Sequence, residues 1–112
     1  MRMLLTEIDE SVTTVVFDGS LDDAAADDVG LQFTAAVAVR SQHSIVDVSR
    51  VTFIGAGGLG LLTSAARALE FKGGRLVLFG AVGPVRAILD SASDRVAAVV
   101  STKRDAMALL PH

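Results

Sequence analysis

The chain has 112 residues, a net charge of −3 and no cysteine. That length supports one core, and 51% apolar with 21% charged residues is a globular mix rather than a disordered one. The acid excess disfavours a nucleic-acid phosphate binder, and the missing thiols exclude disulfides, thiolate zinc sites and cysteine nucleophiles.

Met3 to Ile8 reads as a strand, Asp9-Glu10-Ser11 as a polar turn, and Val12 to Phe17 as a second, β-branched strand hairpinned with the first. Asp18-Gly19-Ser20 is expected to break that strand. Leu21 to Val39 has helical period, with Ala25, Val29, Phe33 and Val37 on one face. Asp22, Asp23, Asp27 and Asp28 crowd its first two turns, where the helix dipole favours acids. Gly30 sits mid-helix and reads as a close-packing position.

Ile45 to Val48 has the composition of a buried strand, followed by a short Ser49–Thr52 link and a glycine-rich break from Gly55 to Gly60. Leu59 to Phe71 is helical, with Leu62, Ala66 and Leu69 inward and Gly73-Gly74 as its terminator. Leu76 to Phe79 is a strand. Pro84 opens a further helix with Val85, Ile88 and Leu89 as its apolar edge. Val96 to Val100 reads as a last strand, and Thr102 with Asp105 as a capping start for a last helix carrying Ala106, Leu109 and Leu110. The order ββαβαβαβα implies an α/β fold, a small mixed sheet of about five strands with about four helices in a single domain over residues 1–112.

Gly55, Gly57 and Gly60 satisfy G-x-G-x-x-G between a strand and a helix. The chain is too short for two mononucleotide halves, and no acid follows Leu76–Phe79 to hold a ribose. No Lys-Ser or Lys-Thr pair follows Gly60, which excludes a P-loop. His43 reads as a surface-loop histidine, and neither a catalytic Ser/His/Asp order nor an acid–base carboxylate pair stands out. The acid cluster reads as solvated first-turn charge rather than a Mg²⁺ site. Thr52 and Thr63 are the hydroxyls nearest the glycine turn; Thr52 reads as a strand end and Thr63 as a back-bonding helix residue.

The run Ile45 to Ile54, the small-residue turn and Gly58-Leu59-Gly60-Leu61-Leu62 together resemble the STAS domain, the family of anti-sigma factor antagonists. Gly19-Ser20-Leu21-Asp22 is similar to its G-x-L-D helix entry, Gly73-Gly74-Arg75-Leu76-Val77-Leu78 to its G-G-x-L-x-L strand, and Val85 to Leu89 to its late helix. With no cysteine and no signal peptide in the sequence, a cytoplasmic location is expected. The resemblance implies a binding module rather than an enzyme, and no catalytic residue, cofactor or metal is expected. Its partner would be an anti-sigma factor of the serine-kinase type. It implies a docking face from Ser20, Leu21, Asp22 and Asp23 together with Gly55, Ala56, Gly57, Gly58 and Leu59, and it admits a homodimer. Two other roles fit the same fold: a STAS subunit on an ABC-type transporter ATPase or a signalling scaffold, and a weak nucleotide- or anion-binding module using the amides after Gly55. Neither binds nucleic acid, and no apolar run approaches the ~18 residues that span a bilayer.

The family's turn reads Asp-Ser-Ser-Gly, with a phosphorylated serine. Here the turn is Gly55-Ala56-Gly57-Gly58. The resemblance places Ala56 at the phosphoacceptor position, where it has no hydroxyl to carry the roughly −1.5 to −2 charges of a phosphoserine.

Overall fold

The computed structural model describes residues 2–8, 12–40, 42–92 and 97–110. The expected turn at Asp9-Glu10-Ser11 and the start of the last strand at Val96 lie outside them. The elements run β1 (Arg2–Ile8), β2 (Val12–Leu21), α1 (Asp23–Arg40), β3 (His43–Ile54), α2 (Ala56–Phe71), β4 (Leu76–Phe79), α3 (Gly83–Ser91), β5 (Ala98–Val100) and α4 (Lys103–Leu109). The expected order holds, and the sheet order is β1-β2-β3-β4-β5. β1 pairs antiparallel with β2, and β2, β3, β4 and β5 are parallel neighbours.

The pleat sorts the core into two layers. Val15, Phe17, Val46, Val48, Leu76 and Leu78 face α1, α2 and α3, whose Val29, Phe33, Leu62, Leu69, Val85 and Leu89 complete the main cluster. On the opposite face Ile45, Val77 and Phe79 meet Ala106 and Leu110 in a smaller cluster. The faces expected of α1 and α2 are the ones that point inward. Phe17 and Phe33 are fully buried with ring centroids 5.0 Å apart; burying each is worth roughly 1.5–3 kcal/mol and clamps α1 onto β2. Of the α3 and α4 residues, Val85, Leu89, Ala106 and Leu110 are buried, Ile88 is half-buried and Leu109 is exposed.

Three expected boundaries are corrected. β2 does not stop at Asp18. It continues to Leu21 through Gly19, whose φ of 117° suits a residue without a Cβ and lets the strand bend while still pairing with β3. Ser49–Thr52 is not a link, because β3 is one strand of 12 residues. Val16 and Asp18 pair with Asp47 and Arg50, and Gly19 and Ser20 with Val51 and Phe53. At each step β3 contributes one extra residue, which makes a bulge. Two bulges turn the inward spacing from two to three, so Val48, Val51 and Ile54 all reach the main core. α2 begins at Ala56 rather than Leu59, so Gly57, Gly58 and Gly60 are helical.

α2 ends as expected at Gly73-Gly74. Gly73 has φ 82°, its N–H donates to the Glu70 carbonyl at 2.9 Å, and the Gly74 N–H donates to the Leu69 carbonyl at 2.7 Å. This is a Schellman closure, which needs the left-handed residue that glycine supplies. α4 starts on Thr102, whose hydroxyl accepts from the Asp105 N–H at 3.1 Å. His43 is not a loop residue. It opens β3, is buried, and its Nδ1 accepts from the Arg75 N–H at 3.1 Å, joining β3 to the approach of β4.

Candidate functional site

Two chain segments meet at the ends of β2 and β3. The Gly55 N–H donates to the Leu21 carbonyl at 3.0 Å, directly beyond the Leu21–Ile54 ladder pair. The β2–α1 and β3–α2 junctions are therefore fixed side by side. Each junction starts a helix, and each helix leaves unpaired N–H groups at this end.

Both ends are capped by neighbouring aspartates. Asp22 caps its own helix: Oδ1 accepts from the Ala25 N–H at 2.9 Å, and the Ser20 hydroxyl donates to Oδ2 at 3.4 Å. Asp23 caps the other helix. Gly55, the N-cap of α2, has no side chain to offer. Asp23 Oδ1 instead accepts from the Gly57 N–H at 2.8 Å, across 34 positions of sequence. Sequence spacing places both acids at the start of α1, and only the tertiary fold shows that the second serves α2.

The expected face residues divide by accessibility. Asp23 and Ala56 are exposed, while Ser20, Asp22, Gly55, Gly57 and Leu59 are partly covered. Leu21 and Gly58 are buried. They support the face from beneath rather than present a side chain to a partner. A Cβ on Gly58 would overlap the Leu21 carbonyl oxygen and stand 2.7 Å from Leu21 Cγ, so α2 approaches β2 as closely as only glycine allows. Leu59 packs against the main core and also lines a groove of about 450 Å³ along α2, with Ala56, Gly60, Thr63, Ser64, Arg67 and Ala92. Thr63 back-bonds to the Leu59 carbonyl at 2.8 Å, as expected for a helical threonine. Thr52 lies exposed in the bulged part of β3.

One residue that sequence reasoning missed is Phe53. It is 50% exposed, beside Gly55, Ala56, Asp22 and Asp23 in a hollow of about 390 Å³. Its ring carbon Cε2 lies 3.2 Å from where a Cβ on Gly55 would stand. An aromatic in an apolar strand normally reads as core, and the bulge that turns this one outward leaves no mark in the sequence.

The STAS domain model matches residues 3–94. The chain belongs to the STAS domain family. A search of curated proteins finds no match. Among solved structures, an anti-sigma factor antagonist from Mycobacterium paratuberculosis is 27% identical with a TM-score of 0.78, over 96% of this chain and 91% of that one. The phosphorylated form of the Bacillus cell fate determinant SpoIIAA is 19% identical with a TM-score of 0.72, over 96% and 97%. The murine anion transporter Slc26a9 is 18% identical with a TM-score of 0.73, over 88% of this chain but 17% of that one. The latter two likenesses are of fold alone. This STAS domain thus shares its architecture with regulators and with a transporter module, and no helix among its described residues is long and apolar enough to cross a membrane.

Proposed function

We propose that this STAS protein is a cytoplasmic anti-sigma factor antagonist that works by binding an anti-sigma factor of the serine-kinase type, without being phosphorylated itself. The observation that carries the reading is the joined pair of junctions, Ser20–Asp23 and Gly55–Leu59, held by the Gly55–Leu21 and Gly57–Asp23 hydrogen bonds. A face held this rigidly loses little conformational entropy on docking. Its accessible members are Ser20, Asp22, Asp23, Gly55, Ala56, Gly57 and Leu59, with Leu21 and Gly58 beneath. Ala56 stands at the first position of α2, and its methyl group offers a kinase no oxygen. A phosphate there would also face the carboxylate that Asp23 already holds on the same helix end.

The test is incubation of the chain with anti-sigma factor kinases and ATP, followed by isolation of the complex and assay of bound phosphate. A stable complex without phosphate is expected; failure to bind any of them, or phosphate on any residue of this chain, overturns the reading. The double variant Gly55→Asp/Ala56→Ser should become a kinase substrate. Gly55 has ordinary extended dihedrals (φ −101°, ψ −177°), and its new Cβ needs only the exposed Phe53 ring to yield.

A second reading, a STAS module seated on a transporter or its ATPase, is favoured by the likeness to Slc26a9. Binding to such an ATPase, and not to the kinases, would select it. Weak nucleotide or anion binding is less well supported, because the Gly57 amide is already taken by a carboxylate.

A further inference from the structure

Phe53 and the aspartates around it form a surface with a definite chemical preference. The hollow lined by Asp22, Asp23, Ala24, Phe53, Gly55 and Ala56 adjoins a second, of about 420 Å³, that shares Asp22 and Ala24 and adds Asp28. Among the described residues no Lys or Arg lines either one. Asp22, Asp23 and Asp28 make no ion pair among the described residues. The N-termini of α1 and α2 supply about half a positive charge each, which falls well short of three carboxylates. The strip is therefore anionic, with an accessible ring at one end. A metal ion does not fit it, because no three acidic or imidazole groups among the described residues converge on one point.

We propose that this strip docks an arginine side chain on the surface of a protein partner, its guanidinium plane on the Phe53 ring and its N–H groups toward Asp23 and Asp22, while Asp28 in the adjoining hollow adds negative charge. The carboxylates complement its charge. Arginine suits the strip better than lysine because a planar, weakly hydrated cation stacks on a ring and forks toward carboxylates together. The Asp23 carboxylate is held in place by its bond to Gly57, and its Oδ2 carries no hydrogen bond among the described residues. The inference rests on the docking reading above and adds the chemistry of the partner.

The probe is a capped hexa-arginine peptide, with hexa-lysine as control, titrated at low salt into the ¹⁵N-labelled full chain. Amide shifts confined to residues 20–28 and 53–57 are expected, with tighter binding of the arginine peptide. Phe53→Leu and Asp28→Asn should each weaken it by about two- to fivefold, and Phe53→Tyr should retain it. Equal affinity for the two peptides, shifts spread evenly to Glu70, Asp90 and Asp105, or no shift at millimolar peptide would overturn the proposal. A kinase partner that binds wild type and Phe53→Leu equally would overturn it too, while leaving the docking reading intact.

Discussion

Asp23 ties the two halves of the proposed face together, and removing it should show how much the tie is worth. In Asp23→Ala the Gly57 N–H loses its acceptor at 2.8 Å. That amide is solvent-accessible and water replaces the carboxylate, so the cost is that of a lost N-cap, about 1 kcal/mol. In thermal unfolding this is a fall in Tm of about 5 °C. Gly57→Ala probes the same contact from the other side. A methyl there would overlap Asp23 Oδ1 and stand 3.0 Å from Asp23 Cα. The carboxylate must leave, losing about 1 kcal/mol, against a helix-propensity gain of about 0.5 kcal/mol. The single variant should therefore be destabilised by about 0.5 kcal/mol. On the Asp23→Ala background the obstruction is mostly gone, and the same change should stabilise by up to about 0.5 kcal/mol. The two substitutions thus couple by about 1 kcal/mol in a double-mutant cycle read by urea denaturation. Additivity within about 0.3 kcal/mol would refute the cross-chain cap. Asp23→Asn should lose part of the effect, by an amount that shrinks with added salt, because only the charge–dipole contribution is screened.

Gly58→Ala should destabilise by about 2–3 kcal/mol, as overpacking against fixed backbone does, and circular dichroism melts will show it; a neutral result would mean that α2 can slide away from Leu21. Gly30→Ala should stabilise by up to about 1 kcal/mol, because its Cβ would meet only Leu61 Cδ1, at 3.5 Å, and its φ is not positive. A loss of stability there would restore the close-packing role that the sequence suggests and the geometry does not require.

The element order, the hairpin, the inward faces of α1 and α2, the Gly73-Gly74 stop and the Thr102 cap were all legible in the chain. Each is set by neighbours a few positions apart: helical spacing for Val29 and Phe33, a left-handed glycine after α2, a hydroxyl three residues before an amide. The turn Gly55-Ala56-Gly57-Gly58 was likewise readable as one with no side-chain oxygen. What tertiary structure alone decided is how distant residues answer one another. The two bulges of β3, one opposite Val16–Asp18 and one opposite Gly19–Ser20 of β2, bury Val51 while turning Phe53 outward. His43 is buried because β4 brings the Arg75 amide to it. Asp23 serves α2 because the sheet sets two helix starts side by side, so a local reading assigns it to the wrong helix. Periodicity and capping are short-range effects and are written locally, whereas register, bulges and cross-chain caps depend on which strands lie next to which.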